Sequence, residues 1–443
     1  MESNRENFAS NLTAILALAG SAIGLGNIWR FPYMVGEYGG AAFIIVYLAF
    51  SLLISLPIML SESIIGRRSR SNTFGALRKL SKGRAWSSLS LLTVLSPLII
   101  LSFYSVVGGW SIEYLFKAFG GAFVNADPDN VRAQFAAFTS HPFLPMVFHT
   151  GFLLLCAIIV ILGVKSGIEK FNKVTMPLLF CLIVSMAIYS LSLPGARAGV
   201  DYLLKPDFSL LTPKALASAL GQSFFSLSLG VGTVLTYSSY ISPKENILVS
   251  GVGTTVFDLL FALIAGFAVM PAVFAAGIEP GAGPALIFET VPFIFCKMGS
   301  AAPWISSVVA ILFFAAICFA ALSSAISMFE VGVAYLVEEK GLSRRKSVVC
   351  IFLGVWALGA LCAYFPRLFS LCDTLTSNYL MMFGALLFVV FAGWVMKKED
   401  VLSEFSSDGR YPLNRKLSGV FYFLLKWVAP IAVTLIFITN FLS

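Results

Sequence analysis

Long apolar runs separated by short polar breaks extend along the chain from about residue 11 to residue 441. A helix that crosses a membrane needs about 20 consecutive, mostly apolar residues, and eleven segments of the chain satisfy that requirement. We therefore expect an all-α polytopic membrane protein. Its spans one to eleven are predicted over residues 11–36, 41–66, 87–119, 143–163, 168–191, 213–240, 246–276, 303–337, 346–364, 369–396 and 418–441.

The composition supports a membrane protein. Of the 443 residues, 58% are hydrophobic and only 12% are charged, whereas about 25% of a soluble domain is charged. The N-terminal segment is polar and has no small-residue cleavage site ahead of a short apolar core. We therefore expect the first apolar run to be a mature span and not a cleaved signal peptide.

Lysine and arginine are concentrated in alternate connections between the spans. If the N-terminus is cytoplasmic, the cytoplasmic segments hold 21 of these residues and the outer segments hold 7. Basic residues favour the cytoplasmic side, so we predict a cytoplasmic N-terminus, an extracytoplasmic C-terminus and a location in the plasma (inner) membrane. The net charge of +8 is then explained by loops facing one side of the lipid bilayer, and no nucleic-acid partner is expected.

Cysteine and histidine give no indication of a metal or catalytic centre. The seven cysteines lie mostly within apolar runs and none forms a C-x-x-C pair, so neither a disulfide framework nor a zinc site is predicted. The two histidines, His141 and His149, flank the start of span four. Because no nucleophile–base pair or metal motif is visible, the sequence predicts that the protein is not an enzyme.

Span one is interrupted by poor helix formers. The stretch AGSAIGLGNIWRFP contains Gly20, Gly24 and Gly26, followed by Asn27 and Arg30. Glycine costs about 1 kcal/mol relative to alanine inside a helix, and an opened backbone in hydrocarbon leaves polar groups unpaired. Glycines alone would indicate close helix packing, but polar residues at membrane depth usually serve a function.

Span six carries a matching interruption. Its stretch GQSFFSLSLGVGTVLTYSSY has Gly230 and Gly232 near mid-span, preceded by three serines. Spans one and six hold equivalent places in two sets of five, and paired broken helices are the best sequence indication of a transporter site. We expect a single domain over residues 1–443, with one repeat over 11–191, a second over 213–396 and an additional helix over 418–441.

The chemistry of broken helices predicts the kind of ligand. Free N–H groups at one half-helix attract a carboxylate, while free carbonyls and hydroxyls suit a hard cation such as Na⁺. Span seven adds Asp258, a single carboxylate in an apolar run that a bound cation would compensate. Span eight adds Ser323 and Ser324, although these hydroxyls could equally bond to their own helix. An anionic or zwitterionic solute that moves together with a cation is therefore predicted.

The motifs GSAIGLGNIWRFP, FFSLSLGVGTVLTYSSY, FAALSS and GPALIFETVPFIF resemble the neurotransmitter:sodium symporter family, in particular its bacterial eleven-span amino-acid transporters. The resemblance runs from Arg5 to about the end of span eleven. It implies two inverted five-helix repeats, formed by helices one to five and six to ten, in which helices one and six are discontinuous. It also implies two sodium sites and a site for an amino acid.

The resemblance assigns roles to individual residues. The first sodium site would use the Ala22 carbonyl, the side chains of Asn27, Ser226 and Asp258, and the substrate carboxylate. The second would use the carbonyls of Gly20, Ile23 and Ala320 and the hydroxyls of Ser323 and Ser324. The substrate would contact Ala22, Leu25, Gly26, Ile100, Tyr104, Phe225, Ser226, Ser228, Val231, Ser324 and Met328. Its carboxylate would lie near the N–H groups of Leu25 and Gly26 and the Tyr104 hydroxyl.

The resemblance also implies gates on both sides of the substrate. The outer polar gate would consist of Arg30 and Asp373 with Gln222 nearby, above an aromatic lid of Tyr104 and Phe225. The inner gate would be an ion pair of Arg5 and Glu338, supported by Phe8 and Tyr240. Phe8 replaces the usual tryptophan of the family, and a phenylalanine cannot donate that side-chain hydrogen bond.

Departures from the family pattern refine the expected chemistry. Asp258 stands where animal members, which also bind chloride, have asparagine, and Ala262 lacks the carboxyl or hydroxyl that other members use. A fixed carboxylate beside sodium would supply the compensating charge, so we predict chloride independence. Gly24 stands where monoamine carriers have an aspartate, so the substrate is expected to carry its own carboxylate.

Two glutamates, a glycine–proline spacing in span five and one long outer connection are further features with an expected or an open role. Glu62 and Glu330, in spans two and eight, are expected to pair in the inner half of the protein. Gly167 and Pro177 in span five resemble a family motif that unwinds and admits water, although an ordinary helix start would look the same. The apolar outer connection 277–302 is either packed on its own domain or a lid that dips into an outer vestibule.

Together these features predict a sodium-coupled symporter that imports a neutral, hydrophobic or aromatic amino acid by alternating access. Two alternatives stay open: a proton-coupled amino-acid carrier of the same fold with Asp258 as its proton site, and a non-transporting amino-acid sensor or a channel. Val231 and Met328 indicate an apolar, adaptable pocket, but the sequence does not name the preferred amino acid. It implies no oligomeric state.

Overall fold

The secondary structure of the protein is helical in the part that the computed structural model describes, which comprises residues 6–81, 84–123, 128–277, 288, 290–299, 303–411 and 414–442. No strand occurs within these residues. The helical segments are Asn11–Ala22, Gly26–Arg30, Phe31–Glu37, Ala41–Phe50, Ser51–Ser55, Leu56–Ser69, Thr73–Leu80, Arg84–Phe119, Pro128–Ser140, Leu144–Ile161, Val164–Glu169, Lys170–Ser192, Ala196–Leu204, Phe208–Leu210, Pro213–Ser226, Thr233–Ser238, Ile247–Ala275, Thr290–Gly299, Pro303–Lys340, Arg344–Tyr364, Pro366–Leu375, Thr376–Leu380, Met381–Val390, Phe391–Val395, Lys398–Phe405, Arg415–Phe423, Leu424–Val428 and Ala429–Leu442.

The apolar runs are helices, as predicted. Nine helical stretches of the described chain are long and apolar enough to cross a membrane: Ala41–Ser69, Ala85–Phe119, Leu144–Ile161, Val164–Ser192, Ile247–Ala275, Pro303–Lys340, Arg344–Tyr364, Pro366–Val395 and Lys416–Ile438. Span one makes a tenth if its two parts count together, since Asn11–Ala22 and Gly26–Glu37 meet at an angle of 56°. The all-α prediction is therefore confirmed.

Span six is broken more widely than span one. Its helical parts are Pro213–Ser226 and Thr233–Ser238, and the six residues between them are not helical. Gly230 and Gly232 have φ angles of +78° and +71°, which glycine adopts without steric cost. Since neither part is long enough to span a membrane alone, the count of eleven crossings stays a prediction.

The break in span one follows from close packing of its backbone. Ile23 is extended, with φ −72° and ψ 105°, and it ends the first half-helix. The next residue, Gly24, lies so close to the Ser324 hydroxyl that a Cβ atom there would overlap it. The Gly24 N–H donates to Asn27 Oδ1 at 3.2 Å, so a side chain takes over a hydrogen bond that the helix has lost.

The broken spans lie in the middle of the bundle. Helix Asn11–Ala22 packs against Ile247–Ala275 and Pro303–Lys340, and helix Thr233–Ser238 packs against Leu56–Ser69. Irregular backbone at membrane depth is tolerated when it is buried in protein, and the surrounding helices provide that burial.

Short helices occupy connections that the apolar pattern left unassigned. They are Thr73–Leu80, Pro128–Ser140, Ala196–Leu204, Thr290–Gly299 and Lys398–Phe405. Most of the predicted lid, namely residues 278–287, 289 and 300–302, lies outside the described residues. Its described residue Phe288 is buried, and its ring stacks on Phe135 with centroids 5.7 Å apart. This part of the connection packs on its own domain.

Candidate functional site

The breaks in spans one and six border a small closed pocket. Its volume is about 40 Å³, enough for about three water molecules. The pocket is lined by Ala22, Gly24, Leu25, Gly26, Ile100, Tyr104, Phe225, Ser228, Val231, Ser324, Met328 and Met381. Every predicted substrate contact except Ser226 is in this lining. Gly24, which the sequence analysis related to the substrate carboxylate, is also in it, whereas Met381 was not identified from the sequence.

The pocket has a polar end and an apolar end. The Leu25 N–H donates to the Tyr104 hydroxyl at 3.3 Å, and the Ser228 hydroxyl donates to the Ser21 carbonyl at 2.9 Å. Aliphatic and thioether side chains from spans three, six, eight and ten form the other end, namely Ile100, Val231, Met328 and Met381. Such a lining fits a molecule that has polar groups at one end and an apolar group at the other.

A buried polar cluster surrounds Asp258 behind the break in span one. The Ser226 hydroxyl lies 2.9 and 2.8 Å from the two carboxylate oxygens, and Asn27 Nδ2 donates to Oδ1 at 2.8 Å. The Tyr47 hydroxyl, from span two, donates to Ser226 Oγ at 3.2 Å. Tyr47, which the sequence did not single out, therefore belongs to the same cluster.

Asp258 lacks a basic partner in the described part of the chain. Its side chain is fully buried, its hydrogen-bond donors are neutral, and no ion pair reaches it there. Burying an unpaired carboxylate is costly, so a cation fits the chemistry of the cluster. In this arrangement the Asn27 amide nitrogen faces Asp258, and ligation of a cation by Asn27 Oδ1 requires the amide to rotate.

A second set of oxygens lies between spans one and eight. The Ser323 hydroxyl donates to the Ala320 carbonyl at 2.9 Å and to the Ile23 carbonyl at 3.3 Å. The Ser324 hydroxyl lies 3.4 Å from the same Ile23 oxygen. Gly20 lies one turn earlier, against the amide of Asn172 in span five. Four of the five residues predicted for the second sodium site are thus directly linked.

A larger cavity lies on the other side of Tyr104 and Phe225. We call this cavity of about 170 Å³ the vestibule, and its lining also includes Trp29, Arg30, Phe103, Phe369 and Asp373. Because Leu25, Tyr104 and Phe225 line both cavities, these residues, two of them aromatic, lie between the vestibule and the pocket. This position is the one that an aromatic lid requires.

Two of the predicted outer gate residues, Arg30 and Asp373, line the vestibule without an ion pair between them. The Arg30 guanidinium lies over the Phe225 ring, 4.7 Å from its centroid, and Asp373 Oδ1 accepts a hydrogen bond from Ser377 at 3.0 Å. Gln222 Nε2 donates to the Gly26 carbonyl at 3.0 Å. Arg30 and Asp373 thus line the same cavity, and their role as an outer gate stays a prediction.

Aromatic rings pack together at the inner end of the site. The Phe8 ring meets the rings of Tyr237 and Tyr240 edge-on, with centroids 6.1 Å apart in both pairs. The Phe8 N–H donates to the Tyr240 carbonyl at 2.9 Å. Glu338 accepts hydrogen bonds from the backbone and side chain of Asn72 at 2.8 and 3.0 Å. Its predicted partner Arg5 lies outside the described residues.

The predicted pairing of Glu62 with Glu330 is wrong. Glu62 accepts a hydrogen bond from the Gly230 N–H at 2.7 Å, because the unwound backbone of span six needs an acceptor. Glu330 binds Arg344 through two contacts of 3.1 and 2.6 Å and also accepts from the Tyr240 hydroxyl at 2.8 Å. Arg344 supplies the positive charge that Glu330 needs and that a second carboxylate could not provide. The sequence analysis counted Arg344 only as a basic residue in a loop.

The start of span five is wound in this structure. Residues Val164–Glu169 form a π-helical turn, and helix Lys170–Ser192 continues from it. The N–H groups of Val164 and Lys165 donate to Glu6 Oε2 at 2.8 and 3.1 Å, so the N-terminal segment caps the helix. Unwinding between Gly167 and Pro177 stays a prediction.

These features define a class of protein. Secondary transporters have this architecture. Their apolar helices form a bundle, and the bundle encloses a pocket at two discontinuous spans, next to clustered oxygen ligands. A vestibule adjoins the pocket on one side, and aromatic rings pack together on the other.

Comparison with known proteins identifies the family. Residues 5–131 and 146–443 match the Sodium:neurotransmitter symporter family, and the chain belongs to it. It is 34% identical to the uncharacterized sodium-dependent transporter YhdH of Bacillus subtilis, over 97% of this chain and 96% of that protein. It is also 34% identical to an uncharacterized sodium-dependent transporter of Haemophilus influenzae, over 98% of both chains.

A solved structure supports the same assignment at the level of the fold. The chain is similar to MhsT, which was crystallised in complex with L-phenylalanine, with a TM-score of 0.90 and 38% identity. The similarity covers 99% of this chain and 100% of MhsT. The protein is therefore a multi-pass, sodium-dependent membrane transporter of this family and not an enzyme.

Proposed function

We propose that this transporter imports a neutral, hydrophobic or aromatic amino acid together with Na⁺, by alternating access and without chloride. The observation that carries the proposal is the position of Asp258, a buried carboxylate without a basic partner among the described residues, beside a pocket with one polar and one apolar end. The carboxylate accounts for the cation, and the two-ended pocket accounts for the amino acid.

The lining of the pocket supports an apolar substrate side chain. Ile100 and Val231 are rigid, whereas Met328 and Met381 are flexible and fill irregular space. A large side chain does not fit into about 40 Å³ without displacing a neighbour, and the methionines move most easily. The L-phenylalanine bound to the similar transporter MhsT agrees with a substrate of this size.

The polar groups support recognition of the amino-acid backbone. The Tyr104 hydroxyl and the N–H groups of Leu25 and Gly26 would receive the carboxylate, since free N–H groups at a helix break favour an anion. The amine would face the carbonyls around Phe225 and Ser226. Gly24 contributes no carboxylate of its own that would compete with that of the substrate, and a Cβ atom there would overlap the Ser324 hydroxyl.

Two sodium ions are proposed as the co-transported cations. The first would bind among Ala22, Asn27, Ser226 and Asp258, and the second among the oxygens of Gly20, Ile23, Ala320, Ser323 and Ser324. Asp258 would balance the first ion, so chloride is not required. The inward gradient would supply about 2.3 kcal/mol per charge for each 100 mV of membrane potential.

The distribution of basic residues supports an orientation with the N-terminus in the cytoplasm, the vestibule outside and the protein in the plasma (inner) membrane. Substrate would enter past Arg30 and Asp373 and be enclosed by Tyr104 and Phe225. It would leave after the packing around Phe8 loosens. This order of events is the alternating-access cycle in terms of this chain's own residues.

Equilibrium binding of radiolabelled L-phenylalanine to the purified protein tests this proposal. We expect binding in sodium chloride and sodium gluconate, none in choline chloride, and strongest competition from hydrophobic and aromatic amino acids. Binding in choline that increases at acidic pH would instead favour the proton-coupled carrier. If no amino acid competed in sodium, the proposed substrate class would be wrong.

A further inference from the structure

Two buried cysteines meet at the corner between spans nine and ten. Cys362 lies near the end of helix Arg344–Tyr364, and Cys372 lies in helix Pro366–Leu375. Their sulfur atoms are 4.0 Å apart, and their exposed fractions are 2% and 6%. Nothing in the sequence pairs these two cysteines, since they are ten positions apart and form no recognised motif.

The surrounding backbone is suited to a small approach of the two sulfurs. A disulfide bond is about 2.05 Å long, so the sulfurs would have to move about 2 Å closer. Helix Pro366–Leu375 is short, begins after the extended residue Phe365 and ends at the π-helical turn Thr376–Leu380. Helices commonly bend at π-helical turns, so this segment can tilt with little disturbance of the rest of span ten.

The same segment carries one side of the outer gate. Asp373 directly follows Cys372 in sequence and faces Arg30 across the vestibule. Closing that polar gate requires the segment of Asp373 to approach span one. A covalent bond from Cys372 to span nine would oppose the movement.

We propose that Cys362 and Cys372 form a redox-modifiable dithiol, and that their disulfide fixes the outer segment of span ten, with Asp373, against span nine. In the proposed orientation this corner faces the extracytoplasmic side, where disulfides form and persist. The dithiol is a modification site separate from the substrate pocket and from both sets of cation ligands.

The oxidant is a low-molecular-weight disulfide in the outer compartment. The thiolate of Cys372, the more exposed cysteine, attacks one sulfur of the oxidant, forms a mixed disulfide and releases one small thiol. The thiolate of Cys362 then attacks the Cys372 sulfur, forms the intramolecular bond and releases a second small thiol. The two protons lost by the cysteines are taken up by the two released thiolates, so one disulfide is exchanged for another.

Counting thiols on the intact protein tests the modification. The purified transporter is treated with oxidised glutathione, unfolded, alkylated and measured by mass spectrometry. We expect two fewer alkylated thiols than in reduced protein, with a peptide linking Cys362 to Cys372. Cys372→Ser and Cys362→Ser should each lose this change, while the matched control Cys181→Ser should keep it. If the linked peptide is absent under conditions that do oxidise the unfolded protein, the proposal is wrong.

Sodium-driven uptake tests the effect on the gate, and this part rests on the proposed function. Oxidation should slow uptake by the wild type roughly fivefold, because gate movements often limit such cycles, and dithiothreitol should restore it. Cys372→Ser should not respond to the oxidant. A linked peptide with unchanged uptake would overturn the role at the gate. If reduced protein showed no uptake, the proposed function would fail while the thiol count still decided whether the dithiol exists.

Discussion

At the scale of single residues, Asp258 connects the structure to ion coupling. It is buried with Asn27, Ser226 and Tyr47, and its carboxylate accepts hydrogen bonds only from neutral groups in the described residues. The sequence indicated its importance because a charge in a long apolar run is expensive. The sequence could not indicate Tyr47, because a tyrosine in an apolar span is ordinary.

Replacing Asp258 by asparagine should weaken sodium binding and make it depend on chloride. The change removes the fixed negative charge, so we expect the half-saturating sodium concentration to rise by about tenfold, equivalent to about 1.4 kcal/mol. Sodium titrations of substrate binding in chloride and in gluconate measure this effect. Asp207→Asn, at an exposed carboxylate, is the control. An unchanged titration in gluconate would show that Asp258 does not balance the ion.

Met381 should influence which amino acid is preferred. Met381 lines the apolar end of the pocket together with Ile100, Val231 and Met328, and Met381→Ala would enlarge that end. We expect the affinity for tryptophan relative to leucine to rise by roughly tenfold, as expected when pocket volume changes by several methylene groups. Met328→Ala should act in the same direction, and competition binding measures both.

The neighbouring residue provides a control for this prediction. Met382 is also buried but is not part of the pocket lining, so Met382→Ala should leave the order of preference unchanged. The same order in Met381→Ala and wild type would remove Met381 from the substrate pocket.

At the scale of elements, the break in span six is maintained by contact with span ten. A Cβ atom on Gly230 would overlap the Met381 carbonyl, and its φ angle is +78°. Gly230→Ala should therefore lower the free energy of unfolding by about 3 kcal/mol, from backbone strain and overpacking together. Thermal unfolding in detergent measures the loss.

Gly221, in the first helical half of the same span, is the matched control. A Cβ atom there would have its nearest neighbour, the Met382 methyl carbon, at 3.9 Å, which is an ordinary contact. Gly221→Ala should be neutral or stabilise the helix by up to about 1 kcal/mol. Equal destabilisation by both substitutions would mean that the break in span six is not set by Gly230.

The pairing of Glu330 with Arg344 joins span eight to the start of span nine. Removing the arginine leaves a fully buried carboxylate unpaired, so Arg344→Ala should cost about 3–5 kcal/mol in the free energy of unfolding. Adding Glu330→Gln should recover part of that loss, and Arg345→Ala, at the exposed neighbour, should have little effect. Chemical denaturation of the wild type, Arg344→Ala, Arg345→Ala and the double variant Arg344→Ala with Glu330→Gln measures these free energies of unfolding. If Glu330→Gln recovers none of the stability lost in Arg344→Ala, the pairing is contradicted.

The elements that the sequence predicted are those with long, uniform patterns. Apolar runs located the spans, and the glycine pairs located both breaks, because each signal depends only on neighbouring residues. The helix Pro128–Ser140 was missed because its pattern is short and mixed. The partners of Glu62 and Glu330 were missed because they depend on how distant spans pack.

At the scale of the whole molecule, the vestibule lies on one side of the substrate pocket and packed aromatic rings lie on the other. The sequence could identify most of the residues around the vestibule and the packed rings, since site residues can be inferred by resemblance to other members of the family. The sequence could not indicate how the outer and inner gates are arranged in this structure, because the same sequence adopts every conformation of the transport cycle.

The central claim is that a sodium gradient drives an amino acid across the membrane. Uptake of radiolabelled L-phenylalanine into proteoliposomes, with an imposed sodium gluconate gradient, measures this directly. Accumulation above the external concentration is predicted, and replacing sodium by choline while keeping the same proton gradient should abolish it. No sodium-driven accumulation of any of the common amino acids, or equal accumulation in choline, would contradict the claim.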